Sequence, residues 1–184
     1  MNIITATYCS PLGHVCIESD GLSITSLRFC NEQVHTVSTA QTEAVAQENA
    51  ATTIPVISET LLWLDDYFAG KRPCNVPRLN PQGTPFQQRV WLVLLTIPYG
   101  ETLSYGEIAK MVDCRSAQAV GQAVGANPIA LIIPCHRVIA AHGKLGGYEY
   151  GIEIKKQLLD LETEIKIRLN RDKYTTKHRY INDY

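Results

Sequence analysis

The sequence predicts an α+β protein in two parts: a small N-terminal unit with a β-sheet and a helix, then a C-terminal helical unit. Three observations carry this reading. Short segments of alternating apolar and polar residues occupy the first 30 positions, and helical spacings dominate after residue 85. Between them, Pro73, Pro77, Pro81 and Pro85 punctuate a stretch with no regular period, the natural boundary between units. The expected division is 1–80 for the first unit, 81–165 for the second, and 166–184 for a basic, exposed tail.

Taken in order, Val15-Cys16-Ile17 follows the turn Pro11-Leu12-Gly13, and Gly21 separates it from the alternating run Leu22 to Phe29, a hairpin pattern. Residues 32–53 are polar and rich in Gln, Thr, Ala and Glu, either a loop or a surface helix. Ile57 to Phe68 has Leu61, Leu62, Leu64 and Tyr67 on helical spacing and stops at Gly70. Pro85 opens a helix that runs through Phe86 to Leu95 and ends at Pro98-Tyr99-Gly100. Ser104 caps a helix over Tyr105 to Val112, with Glu107 in the capping-box position. A turn at Asp113-Cys114-Arg115 leads to a further helix, Ser116 to Val124, so the two form a helix-turn-helix candidate. Ala117, Ala119, Gly121, Ala123 and Gly125 make the second of these slim. A slim helix can press on a DNA backbone or enter a narrow groove, though small residues serve core packing equally well. Gly143, Gly146 and Gly147 make a flexible segment, and a last helix runs from about Ile152 to Glu164.

Bulk properties exclude several classes. Hydrophobic content of 45% and charged content of 19% over 184 residues describe a soluble globular chain with room for one good core or two small ones. No apolar run approaches the ~20 residues needed to cross a bilayer, and Met1-Asn2-Ile3-Ile4-Thr5 has no secretory pattern. Six cysteines without CxxC spacing are expected to be reduced, which points to the cytoplasm, or the nucleus in a eukaryote. The net charge of −1 hides an asymmetry: residues 1–85 hold four Lys/Arg and eight Asp/Glu, and residues 86–184 hold thirteen and ten. A polyanion is therefore expected to meet the second half. The sequence has no Gly-rich phosphate loop, no glycosidase-like carboxylate pair and no internal repeat.

The chemistry concentrates at Ile133-Pro134-Cys135-His136-Arg137-Val138. A thiol that reacts needs a base to make thiolate, and a thiol that reacts selectively needs a restricted pocket. His136 is the candidate base. Adjacent side chains rarely touch, so a bridging water is expected between Cys135 and His136. The apolar run Ile129 to Ile133, ending in a proline-fixed bend, is expected to supply the pocket wall.

With Ala126-Asn127-Pro128 and Ser104-Tyr105-Gly106 before it, this string resembles the O6-alkylguanine-DNA alkyltransferases. Gly83-Thr84-Pro85-Phe86-Gln87, Val90-Trp91, Ile97-Pro98-Tyr99-Gly100, Ala119-Val120-Gly121 and Gly147-Tyr148 add to the match, which is dense over residues 60–162 and extends weakly to Ser10-Pro11-Leu12-Gly13. The resemblance implies a ribonuclease H-like N-terminal domain and a C-terminal domain with a winged-helix-like helix-turn-helix. It also implies direct-reversal repair: irreversible, stoichiometric transfer of an alkyl group from O6-alkylguanine, and from O4-methylthymine, in double-stranded DNA to Cys135. Such a methylated-DNA–protein-cysteine methyltransferase works once, as a monomer on the minor groove, with no cofactor and no metal.

Roles then carry over residue by residue. Cys135 matches the acceptor, His136 the water-mediated base, and Glu162 the carboxylate that orients the histidine. Tyr105 matches the tyrosine that assists nucleotide flipping and donates to the leaving guanine. Asn127 matches the residue joining the recognition helix to the active-site turn. The carbonyls of Cys135 and Val138 match those reading the guanine amine, Tyr148 flanks the alkyl pocket, and Ala119 and Val124 fall on the DNA- and substrate-facing helix. Arg137 is expected to point away from His136 into a structural ion pair.

This chain departs from the family at three places. Gln118 stands where an arginine usually fills the space of the flipped nucleotide, and the turn before it is one residue short. Glu149 replaces a small hydroxyl residue, so only its backbone N–H carries over. The zinc ligands of some relatives have no counterpart here; Cys9, Cys16, Cys30, His14 and His35 read as structural or exposed. Two other classes compete: a cysteine hydrolase, which would turn over and explains neither Tyr105 nor Asn127, and a DNA-binding protein without repair activity, which would lack the acceptor cysteine.

Overall fold

The computed structural model describes residues 3–30, 54–73 and 75–179, with side chains up to residue 168; the polar segment 32–53, Cys74 and residues 180–184 lie outside the described residues. Three antiparallel strands, β1 (Ile4–Ser10), β2 (Gly13–Ser19) and β3 (Ile24–Phe29), form a sheet in that order. The expected hairpin is β2–β3, and β1 is an addition to it. Its alternation of half-buried Ile4, Ala6 and Tyr8 with exposed Thr5, Thr7 and Cys9 is a strand signal, weak because the polar positions hold small residues. Helix α1 (Pro55–Phe68) lies on β1 and β2 through Val56, Ile57, Trp63, Leu64 and Tyr67.

Among the described residues, the free edge of β3 carries no further strand. Instead, Ile24 bridges Leu79 and Leu27 bridges Ile129. The backbone bonds Leu27 N–H to Pro128 O (2.9 Å) and Ala130 N–H to Leu27 O (2.7 Å) stitch the apolar run onto the sheet. Ile129 to Ile133 are therefore core residues, all 5% exposed or less, and, contrary to the expectation from the sequence, do not line the Cys135 cavity. A run this apolar is more stable against the sheet than lining a solvent-filled cavity.

The helical unit comprises α2 (Pro85–Leu95), α3 (Tyr105–Met111) and α4 (Ala117–Gly125). Capping boxes start α2 (Thr84 with Gln87) and α3 (Ser104 with Glu107), and Ser116 caps α4. Trp91 Nε1 donates to Ala123 O at 2.8 Å and ties α2 to α4. Strand β4 (Leu103–Ser104) pairs in parallel with β5 (Val138–Ile139), which follows a single 3₁₀ turn at Cys135–Arg137. One apolar cluster runs through both units.

Two expectations are corrected. The last helix, α5, runs from Ile152 to Arg179 rather than stopping near Glu164. Ile165, 1% exposed, extends its buried face past that point, which the polarity of the following residues concealed. The cysteines are not all reduced: Cys16 on β2 and Cys30 just beyond β3 form a disulfide. Strand pairing sets Cys16 opposite Arg28 and so brings Cys30, two residues on, within bridging distance, with the Cα atoms 6.0 Å apart.

Candidate active site

The 3₁₀ turn presents Cys135, 8% exposed, at the floor of a cavity of about 220 Å³. Helix α4 supplies one wall with Gly121, Val124 and Gly125, and Tyr105 stands at the start of α3. Gly147, Tyr148 and Glu149 close the other side. The Tyr105 ring faces Gly121 of α4, 3.8 Å from where a Cβ would sit, which is ordinary van der Waals contact.

Asn127 holds the turn from below. Its side-chain amide donates to Ile133 O (2.8 Å) and Ile129 O (3.3 Å), and its Oδ1 accepts from Ile129 N–H (3.1 Å). It thus links the end of α4 to the residues before Cys135. Burial pushes the Cys135 thiol up, with Asn127 and the Cys135 backbone N–H only partly opposing it. The resting sulfur is a protonated thiol, so a base is needed to make it a nucleophile.

Behind the cysteine, His136 is fully buried, with Nε2 2.8 Å from Glu162 Oε1. Burial would raise the Glu162 carboxyl, but His136 and Arg137 outweigh that and hold it at about 2. An ionised carboxylate only accepts, so the network assigns the proton to Nε2. Nδ1 is buried without a hydrogen-bond partner among the described residues and remains the acceptor. Neither nitrogen therefore bonds the thiol directly. Burial lowers the pKa of His136 by more than Glu162 raises it, so the ring is neutral at rest.

Arg137 makes the expected ion pair, with Glu162, but does not point away from His136, since both converge on that carboxylate. Arg137 Nε donates to Oε2 and Nη2 to Oε1, each at 2.8 Å, and Nη1 donates to Ile97 O. Gly100 N–H adds a bond to Oε2 at 3.2 Å. Gly100 has φ +68, and a Cβ there would meet Glu162 O at 3.0 Å, so this approach needs glycine.

Two groups escaped the sequence reading. The Tyr67 hydroxyl, on α1, donates to Glu162 Oε1 at 2.9 Å. Lys155 is fully buried, its Nζ donating to Val138 O (2.6 Å), Leu145 O (2.5 Å) and Gly147 O (3.2 Å). Lys155 had a signal: with Glu162 it shares the helical stripe of Leu158 and Ile165, and a charge on an apolar stripe is an expensive placement. Tyr67 sat among apolar residues with none.

Of the other expected site residues, Tyr105, Val124, Tyr148 and Glu149 line the Cys135 cavity, whereas Val138, Ala119 and Gln118 do not. Tyr105 is half-buried, and its hydroxyl is pushed up by burial and then by Cys135. Val138 is buried, and its carbonyl already accepts from Lys155; the Cys135 carbonyl accepts from Val138 N–H. Tyr148 has a buried hydroxyl held well above the usual phenol range by burial and the nearby Cys135. Glu149 is exposed and lies 3.6 Å from Arg28 of β3. Gln118 is exposed near the start of α4, outside the cavity, beside half-buried Ala119.

Comparison with known proteins is consistent along most of the chain. A family model described as 6-O-methylguanine DNA methyltransferase, ribonuclease-like domain, matches residues 3–75, and one described as 6-O-methylguanine DNA methyltransferase, DNA binding domain, matches residues 85–164. A Mycobacterium tuberculosis (strain ATCC 25618 / H37Rv) methylated-DNA–protein-cysteine methyltransferase is 45% identical over 157 residues, covering 85% of this chain and 90% of the relative. The protein of that name from Haemophilus influenzae is 39% identical over 181 residues, 96% of this chain and 94% of the relative. Among solved structures, Mycobacterium tuberculosis OGT in complex with DNA aligns with a TM-score of 0.71 at 42% identity, covering 86% of this chain and 92% of that one.

Proposed function

The chain belongs to the 6-O-methylguanine DNA methyltransferase family, and on that premise we propose that it repairs DNA directly, moving the alkyl group from O6 of an alkylated guanine to Cys135 Sγ. The observation that carries this reading is a buried thiol at a cavity floor, followed by a buried histidine that bonds Glu162 through Nε2 and leaves Nδ1 open. Through a bridging water, the Cys135 proton passes to Nδ1. Glu162 stays ionised and stabilises the imidazolium without taking the proton. The S–C bond then forms as the C–O6 bond breaks; the Tyr105 hydroxyl passes its proton to the departing guanine and regains one through water as the His136 imidazolium gives up the proton it took from Cys135. The thioether has no hydrolytic exit, so each molecule acts once.

A stacked base cannot bring O6 to the floor of so narrow a site, so the target nucleotide is flipped out. Helix α4 is the element that faces the duplex, and its slimness suits the minor groove. The chain acts as a monomer, with residues 81–165 as the DNA-binding and acceptor unit and 1–80 as its support. Arrest at one equivalent separates this reading from a cysteine hydrolase. Intact-mass and peptide analysis after incubation with O6-methylguanine duplex should find one methyl group, on the Cys135 peptide. Cys135→Ala should bind the duplex but gain no methyl group. Methylation of Cys9 or Cys114 instead, or continued turnover, would refute it.

A further inference from the structure

We infer that Tyr67 is a positioning residue of the proton relay, contributed by the N-terminal unit: its hydroxyl shares Glu162 Oε1 with His136 and tempers how strongly that carboxylate holds a proton on the imidazole. The inference rests on the alkyl-transfer reading and deepens it. Tyr67 is fully buried on α1, far in sequence from every residue of the C-terminal site. Its oxygen lies 2.9 Å from Glu162 Oε1 and 3.5 Å from His136 Nε2, closing a triangle of the three groups.

The ring cannot turn away. It stacks on Trp63 (5.2 Å between centroids, 10° between planes), meets Phe68 edge-on at 5.2 Å and packs against Tyr99 at 5.8 Å. Volume alone would be served by phenylalanine, because a hydroxyl in such a place is costly unless it is bonded. The hydroxyl has its partner in Glu162, and burial together with that carboxylate keeps it a protonated donor at every working pH.

What the bond does follows from counting donors. Oε1 receives His136 Nε2–H, Tyr67 O–H and Arg137 Nη2–H. Each donor disperses negative charge, so each weakens the pull of Glu162 toward an imidazolium on His136. The charged and titratable groups facing His136 are Glu162 and Lys155 from α5, Arg137 and Cys135 from its own turn, and Tyr67 from α1. Arg137 and Lys155 are fixed cations, so the hydroxyl of Tyr67 is the neutral adjuster in the set. Without it, His136 holds a proton to higher pH and is a poorer acceptor for the Cys135 proton on the acid side.

The test uses the full chain and single-turnover transfer from O6-methylguanine duplex across about pH 5 to pH 9, the range in which an imidazole changes charge. Tyr67→Phe should move the acid limb to higher pH, slowing transfer about three- to tenfold below the midpoint while the alkaline plateau stays close to wild type. NMR titration of His136 in the folded protein should move the same way. Replacing Tyr67 by 3-fluorotyrosine, a stronger donor of equal shape, should move the limb to lower pH. Unmoved profiles in both variants, or an equal loss at all pH values, would reduce Tyr67 to a packing residue. Wild-type protein in the same assay separates the two levels: if it gains no methyl group on Cys135, the alkyl-transfer reading itself fails, whereas normal wild-type transfer with unmoved variants overturns only the role of Tyr67.

Discussion

Replacing Glu162 with glutamine keeps the shape of the side chain and removes the charge on which the whole cluster converges. Five bonds end on this carboxylate: from Tyr67, His136 and Arg137 Nη2 to Oε1, and from Arg137 Nε and Gly100 N–H to Oε2. An amide supplies one accepting oxygen and turns a donating nitrogen toward groups that also donate. Arg137, 5% exposed, would stay charged without its counter-ion. Breaking one side of a buried ion pair costs about 3–5 kcal/mol. A second route gives a similar figure. A carboxyl held at about 2 in the folded protein, against 4.5 when free, contributes up to about 3 kcal/mol at neutral pH, the part that needs a charged His136 being absent there. Because the folded value is depressed, that stability is present above 4.5 and is lost as pH falls toward 2. Urea denaturation of wild type and Glu162→Gln should therefore show a gap of about 3 kcal/mol at pH 7 that narrows steadily below about pH 4.5. Against a typical stability of about 5–15 kcal/mol the variant still folds, so its transfer rate is measurable, and it should fall about 10²–10⁴-fold. A gap under about 1 kcal/mol at pH 7, or one that stays constant down to about pH 3, would refute the account of Glu162 as the charged centre of the cluster.

Two further outcomes are expected. Gln118→Arg, on an exposed position of α4, should tighten duplex binding, steepen its salt dependence and speed repair, leaving reaction with free O6-alkylguanine base unchanged; equal acceleration of both reactions would show that Gln118 does not face the flipped nucleotide. Lys155→Met should leave the carbonyls of Val138, Leu145 and Gly147 without their shared donor, costing about 2–3 kcal/mol and raising hydrogen exchange over residues 140–150 more than elsewhere; exchange that rises uniformly would mean that Lys155 does not clamp this segment.

The helices of the second unit were legible because their signals are local. Ser104 with Glu107 makes a capping box, Ser116 caps α4, and the Pro98-Tyr99-Gly100 stop was visible without tertiary context. Cys135 and His136 were legible as neighbours in sequence, and Glu162 only through resemblance. The groups that escaped depend on pairings between distant segments. Tyr67 reaches Glu162 across 95 positions, and Cys16 reaches Cys30 only because β2 and β3 pair in one particular register. The apolar run Ile129 to Ile133 misled for the same reason: its hydrophobicity showed that it is buried, but the partner, the edge of β3, is about a hundred residues earlier.

The two pKa shifts at the centre of the site act in opposite senses, which on the proposed reading suits an acceptor that works once. Burial raises the Cys135 thiol and lowers the His136 imidazole, so the resting pair is neutral on both sides. A standing thiolate would be open to oxidation and stray alkylation, and a protein that acts once cannot recover from either. A charged histidine could accept no proton. On the proposed reading, the nucleophile forms only when a substrate fills the cavity, and the imidazolium then created is met by a carboxylate that is already ionised and held by Arg137, Gly100 and Tyr67. The cost of reorganising charge at the moment of transfer is thereby met in advance, in a cluster built from both halves of the chain.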